Sequence, residues 1–334
     1  MYQYVLIRST DYNTFEAIMD SKESNIVYNN ISPENRWKGI NNALYSIHTS
    51  GRLNRIFKLP FQSIWSNVFL DDKVKDILRN TKDKVCFVFS EFAYLYENMS
   101  LFSFLRNNYA GCKIVYYLNN TVSTYLKANN GFSVERIKNI FDLITTYNVD
   151  DSIKYNIVLA PPKIYTYECT HDDNAIEHSD VFYVGSAKGR FNNLISVYEK
   201  LASLGLKCDF HIVGVEESDM KYSDHIDYNR RMNYEEVLRR AKRSKCILNI
   251  NEQGNEGITL RDCEAVGMNK FLISGNSFIK EMAFFNPEKY ISLYNLDVEI
   301  QKINTYKDKS WNNYSSFSVN SWYQWLGQML DERR

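Results

Sequence analysis

Two glutamates eight residues apart, Glu256 and Glu264, mark the stretch of this sequence whose residue types and spacing can do chemistry. Residues 251–276 read NEQGNEGITLRDCEAVGMNKFLISGN, a polar loop containing glycines, then a helix, then a buried strand. Gly257 has no Cβ and lets the main chain approach a bound group closely. A helix start presents unpaired N–H groups and the positive end of the helix dipole, so the backbone at Gly257, Ile258 and Thr259 suits a diphosphate. Glu256 stands at the helix entrance and Glu264 about two turns deeper. Carboxylates so placed can accept hydrogen bonds from two separate sets of hydroxyls, one on a sugar and one on a ribose. Each residue also has a plain reading. Glu264 alone is a solvated helix carboxylate, Glu256 a favourable acid at a helix start, Gly257 a tight turn, and Arg261 an ion-pair partner for Asp262 or Glu264.

Such residues need a scaffold. Short β-type runs alternate with amphipathic stretches along the chain, the pattern of parallel sheets with crossover helices. In the first half, strands are expected at 4–7, 85–90, 113–118 and 143–147, with helices at 71–80 and 101–109. Ala-Pro-Pro at 160–162 closes that half, and the polar, aperiodic residues 168–179 read as a linker. A second series follows, with strands at 181–184, 209–213, 226–228, 246–250 and 271–274 and helices at 192–204, 234–244, 259–266 and 277–285. The periodicity of Trp322, Trp325, Leu326 and Leu330 predicts a last helix over 321–332. The expected organisation is therefore a first domain over 1–167, the linker 168–179, a second domain over 180–318, and a closing segment 319–334 packing toward the first domain. Open parallel sheets bind ligands beyond the carboxyl ends of their strands, where the loop of Glu256 falls.

Glu256-Gly257-x-x-Leu260-x-x-x-Glu264-Ala265 resembles the E-x7-E signature of GT-B glycosyltransferases, which have two Rossmann-like domains. The preceding pieces occur in the same order. Phe182-Tyr183-Val184-Gly185 is similar to the strand and glycine that open the donor domain, and Cys208 to Gly214 to its second strand and turn. Met232-Asn233-Tyr234-Glu235-Glu236-Val237 is similar to the loop and helix start before the donor strand. The likeness covers 180–290 by motif and the first half by architecture. It implies an α/β protein of two Rossmann-like domains with the active site in the interdomain cleft and a nucleotide-sugar donor on the second domain. Glu264 would hold the ribose, Glu256 the transferred sugar, and Gly257–Thr259 the diphosphate, with Gly185, Met232 and Arg261 alongside. Family members place an Arg and a Lys after the first donor-domain strand. Lys188 and Arg190 supply both here, at a shorter spacing, and each also reads as a surface charge. A leaving nucleoside diphosphate needs cations or oriented N–H groups. The family implies no cofactor or bound metal, and no Asp-x-Asp or histidine cluster suggests one. Leu260-Arg261 is similar to enzymes of bacterial capsule, O-antigen and exopolysaccharide pathways, which implies a glycan or lipid-linked acceptor.

Composition bounds the rest. The 334 residues suit two α/β domains, 44% apolar content is globular, and 40 basic against 40 acidic side chains argue against a protein that wraps nucleic acid. Six scattered cysteines without a C-x-x-C pair read as reduced thiols; with no signal peptide expected, the location is cytoplasmic. The first half should hold the acceptor and any general base. Glu91, directly after the 85–90 run, is the candidate base, ahead of Asp11, Asn119, Asn120 and His48. Residues 51–65 mix Arg52, Arg55 and Lys58 with Ile56, Phe57, Leu59, Phe61 and Trp65, which suits peripheral contact with the inner face of a membrane or a partly buried helix and loop. Two rivals stand beside the transferase: a catalytically silent homologue serving as a nucleotide-sugar-binding or partner subunit, and a nucleotide-sugar epimerase of the same fold.

Overall fold

Residues 86–89 and 246–248 are apolar at consecutive positions, and none of these side chains keeps measurable exposure. That is the signature of parallel strands covered on both faces. The computed structural model describes residues 1–8, 25–30, 39–49, 53, 61, 64–66, 69–90, 100–127, 132–165 and 176–333. They divide into two units, each built on a six-stranded, all-parallel sheet.

The first unit holds β1 (Tyr2–Arg8), β2 (Ile26–Asn30), β3 (Lys84–Phe89), β4 (Lys113–Leu118), β5 (Leu143–Thr146) and β6 (Val158–Leu159), in the order β2-β1-β3-β4-β5-β6. Its described helices are α1 (Ile40–Thr49), α2 (Asp72–Asn80), α3 (Leu101–Asn108), α4 (Val122–Lys127), α5 (Val134–Lys138) and α6 (Val149–Tyr155). Val5, Phe87, Phe89, Ile114, Tyr116 and Phe141 centre its core.

The second unit holds β7 (Ser179–Ser186), β8 (Cys208–Val213), β9 (Ile226–Tyr228), β10 (Ser244–Asn249), β11 (Phe271–Ser274) and β12 (Tyr290–Ser292), in the order β12-β11-β10-β7-β8-β9. Helices α7 (Phe191–Ser203), α8 (Tyr234–Lys242) and α9 (Leu260–Gly267) cross between strands, and short helices α10 (Leu296–Glu299) and α11 (Lys302–Thr305) follow β12. This is the doubly wound Rossmann order, with its direction of winding reversing between β7 and β10. The last helix, α12 (Val319–Glu332), belongs with the first unit from Asn320 onward. Trp322, Leu326 and Leu330 recur every four residues and are fully buried, each stabilising by about 1.5–3 kcal/mol. The Tyr4 hydroxyl donates to the Tyr323 carbonyl at 2.7 Å.

Three features differ from the sequence reading. The chain joins the second unit at Pro162, not after a linker ending at 179. Ile164 is buried, donates its N–H to Phe317 O at 2.8 Å and bridges Ser318, while Ser179 already opens β7. Residues 168–175 of the expected linker lie outside the described residues. The helix expected over 277–285 is only the 3-10 turn Phe278–Glu281. Its two fully buried apolar side chains, Ile279 and Phe284, are five apart, so an α-helix would point them about 140° from each other. The chain instead unwinds, and Phe284 packs edge-on to Phe317. Strands β2, β6 and β12 were not expected; the last two are too short to carry a pattern.

Candidate functional site

The winding reverses between β7 and β10, the place at which open parallel sheets bind ligands beyond their carboxyl edge, and both candidate motifs follow those two strands. After β7 the chain turns through Lys188 and Gly189, both with positive φ, into α7. At Gly185 a Cβ would lie 2.7 Å from the Tyr183 hydroxyl, so a larger residue there would have to displace that side chain. Arg190 folds back on the main chain: Nε and Nη2 donate to Ser186 O at 3.2 and 3.1 Å, and Nη1 donates to Ile250 O. It ties the end of β7 to the end of β10. Lys188 is half-exposed, and its ammonium meets Glu252 at 2.9 Å on the rim.

Asn249, at the end of β10, organises the loop beyond it. Its amide reaches Asn251 Oδ1 at 2.9 Å, Thr259 Oγ1 at 3.0 Å and Asp262 Oδ1 at 2.8 Å. Asp262 is fully buried in the first turn of α9 and accepts from the Thr259 N–H at 2.7 Å and the Thr259 hydroxyl at 2.9 Å. Burial pushes its carboxyl up to about 6, against the pull of those hydrogen bonds. The Thr259 N–H expected to face a diphosphate is therefore occupied by Asp262. Gly257 and Ile258 differ: among the described residues their N–H groups have no acceptor, while Gly257 O accepts from Asn276 Nδ2 at 2.9 Å. Glu256 is exposed and makes no hydrogen bond or ion pair among the described residues.

Glu264, just over one turn into α9, is 1% exposed. Its Oε1 accepts from the Tyr234 hydroxyl at 2.8 Å and the Tyr165 hydroxyl at 3.4 Å, and its Oε2 from Arg261. Burial raises the carboxyl and Arg261 opposes the rise. Each carboxylate oxygen has two lone pairs, so Oε2, which takes only Arg261 among the described residues, can accept one more donor. Tyr234 is aimed by the first turn of α8. Asn233 caps that turn at the Glu236 N–H (2.8 Å), and Glu236 is bound by both Arg230 and Arg240, whose hydrogen bonds hold it below the usual carboxylate range. Met232, half-buried, immediately precedes that cap. Tyr165 is held by α9 itself, because Gly267 lies so close beneath it that a Cβ would sit 2.3 Å from Tyr165 O. Lys163, 5% exposed, is linked through its main chain to Cys263 of α9, and burial lowers its ammonium to about 7.

The candidate base Glu91, and Asp11, lie outside the described residues. His48 is on α1, its ring 5.8 Å from that of Trp65, and Asn119 accepts from the Tyr125 hydroxyl at 2.6 Å. Among the described residues, no group of three or more His, Cys, Asp or Glu side chains is arranged to hold a metal ion.

A family model described as "Glycosyl transferase-like" matches residues 195–310, a span that includes Glu256 and Glu264 and leaves out Lys188 and Arg190. No curated protein matches the chain. Among solved structures, the chain is similar to an α,α-trehalose-phosphate synthase (UDP-forming) from Burkholderia vietnamiensis, with a TM-score of 0.50 and 9% identity over 99% of this chain and 100% of that one. A second such enzyme, from Burkholderia xenovorans, aligns with a TM-score of 0.50 and 10% identity over 99% of each chain. The trehalose-6-phosphate synthase OtsA gives 0.50 and 10% over 98% of this chain and 99% of that one. The chain has the GT-B fold. At these identities the likeness speaks for the fold alone. Within this GT-B chain, sequence reasoning missed Tyr165, Tyr234, Asn249, Glu252 and Asn276. Tyr234 stood inside a motif already singled out, one residue after an Asn that could cap a helix, and Glu252 and Asn276 stood inside the quoted stretch 251–276.

Proposed function

We propose that this chain is a glycosyltransferase that moves a sugar from a nucleotide-diphosphate donor to a hydroxyl of a glycan or lipid-linked acceptor in the assembly of a bacterial surface polysaccharide. The observation that carries the reading is Glu264, a fully buried carboxylate with one oxygen able to take another donor, set about one turn behind a helix start. A ribose hydroxyl supplies that donor. The diphosphate lies against the N–H groups of Gly257 and Ile258, and Glu256, exposed in the loop between, meets the transferred sugar. The acceptor hydroxyl attacks the anomeric carbon, the bond from that carbon to the diphosphate oxygen breaks, and the hydroxyl proton passes to a base, for which Glu91 is the candidate. Charge gathering on the diphosphate is met by the two N–H groups and by Lys188 as it leaves Glu252. Arg190 acts as scaffold, keeping the two loops in register. This reading needs no resident metal or cofactor.

Thermal shift against a panel of nucleoside diphosphates and nucleotide sugars in EDTA tests the site. One nucleotide should stabilise the wild type and fail to stabilise Glu264→Ala; a panel that shifts neither protein overturns the reading. A second reading, a nucleotide-sugar-binding homologue without turnover, is favoured by the main-chain commitments of Arg190 and the ion pair of Lys188. Release of nucleoside diphosphate together with an elongated acceptor decides against it.

A further inference from the structure

Tyr2, Tyr4 and Tyr323 floor a hollow of about 310 Å³ in the first unit, between the starts of β1 and β2 and the side of α12. The rings pack in series, their centroids 5.9 Å apart from Tyr2 to Tyr4 and 4.9 Å from Tyr4 to Tyr323. Their side chains are tied in place: the Tyr4 hydroxyl donates to Tyr323 O at 2.7 Å, and the Tyr2 hydroxyl to Asp331 Oδ1 at 3.1 Å. The floor therefore offers mainly ring carbon. Gly327 keeps the hollow open from within α12, where glycine is unfavourable relative to alanine. A Cβ there would stand 3.0 Å from the Tyr4 hydroxyl and 3.5 Å from the Tyr2 ring, and a longer side chain would lie across both.

The rim is made of amides. Gln324 and Gln328 are exposed, stand one helical turn apart, and make no hydrogen bond among the described residues. Asn25, half-buried, donates from Nδ2 to Tyr2 O at 3.0 Å, and its Oδ1 meets no donor among the described residues. Asp331, the one charged side chain among the described residues of the lining, is matched by Lys84 at 2.7 Å. A phosphate or nucleotide would thus meet a carboxylate and no unpaired cation in the lining. The chemistry that fits is an uncharged molecule with carbon faces and groups that both donate and accept. Primary amides do both, sugar hydroxyls do both, and the C–H faces of a sugar ring suit aromatic carbon. The volume lies at the lower end of the range of about 300–1,000 Å³ for ligand pockets, enough for a short stretch of glycan. The hollow stands at the amino end of β1, whose seven residues put the carboxyl edge about 20 Å away. It is therefore distinct from any site beyond the carboxyl ends of the strands.

We propose that this hollow is a second carbohydrate site, which binds an uncharged segment of glycan apart from the donor site. Its use, holding part of a glycan acceptor, rests on the transferase reading; the binding itself does not. Calorimetric titration of the whole protein without nucleotide tests it. The probes are neutral trisaccharides of glucose, galactose, mannose and N-acetylglucosamine, with a trisaccharide of glucuronic acid for comparison. At least one neutral probe should bind at millimolar concentration, and more tightly than the acidic one. Gln324→Ala with Gln328→Ala should weaken that binding about tenfold, the loss of two neutral hydrogen bonds. Gln324→Met with Gln328→Met keeps the side-chain length, removes only the amides, and should weaken it as much. Both positions are exposed on a helix that alanine and methionine favour, so both pairs should keep the wild-type Tm and nucleotide-induced thermal shift. No binding of any neutral probe, tighter binding of the acidic one, or undiminished binding by either double variant overturns the proposal. A protein that binds a neutral probe through these amides but is shifted by no nucleotide keeps this site and loses the donor reading.

Discussion

Replacing Lys163 by methionine should make the protein more stable, by an amount that depends on pH in a calculable way. The side chain is 5% exposed, and burial lowers its ammonium from 10.5 to about 7. A base whose folded pKa lies below its unfolded one contributes fully above the unfolded value, loses stability as pH falls toward the folded value, and changes no further below it. At about 1.4 kcal/mol per pH unit, wild type forfeits about 2 kcal/mol by pH 9 and about 4 kcal/mol by pH 7. Methionine has similar length, no charge to desolvate and enough freedom to fill the space. Lys163→Met should therefore exceed wild type by about 4 kcal/mol near pH 7 and about half that near pH 9. Urea unfolding at both pH values, read as a shift in midpoint at constant slope, measures it. A gain of equal size at both pH values, or a variant weaker than wild type near pH 7, refutes the argument.

Gly267→Ala should destabilise, although alanine ordinarily favours a helix over glycine by about 1 kcal/mol, because its Cβ would stand 2.3 Å from a main-chain oxygen that has no rotamer to escape by. A loss of about 2 kcal/mol in urea unfolding is expected. Tyr234→Phe removes a 2.8 Å hydrogen bond to the buried Glu264 and should cost about 1.5–3 kcal/mol, with a smaller nucleotide-induced thermal shift than wild type. Arg190→Ala leaves the carbonyls of Ser186 and Ile250 without that donor and should lower Tm, whereas Lys188→Ala, on a half-exposed ion pair, should leave Tm nearly unchanged and lower kcat.

Apolar runs long enough to show their period announced most of the two sheets. Lys113–Leu118 coincides with its expected bounds, and the order of the strands places the Glu256 loop at the winding reversal. The misreadings have local causes. Phe278–Glu281 sits in a segment whose apolar residues fit no single helical face, and a strand of two residues such as Val158–Leu159 has no alternation to detect. Within the site, Glu256 and Glu264 were visible because both lie on one short stretch of chain. The tyrosines that engage Glu264 come from positions 30 and 99 residues away, a relation only the folded sheet creates. Arg190 was legible as a cation; nothing local showed that its guanidinium turns onto main-chain carbonyls.

The short passage through Pro162 and Tyr165 bears on how this chain can be cut. A fragment begun at Asp180, where the motif likeness begins, would hold every strand of the second sheet save the first residue of β7, and would look complete on a topology diagram. It would lack the hydroxyl of Tyr165 on Glu264, the carbonyl that closes over Gly267, and the N–H of Ile164 that meets Phe317. Helix α9 would then carry an open seam exactly behind its buried acid, and weak nucleotide binding by such a piece would reflect a missing wall. Severing before Pro162 keeps that wall, so autonomy of the second unit is a question to ask of residues 162–319 and no shorter piece.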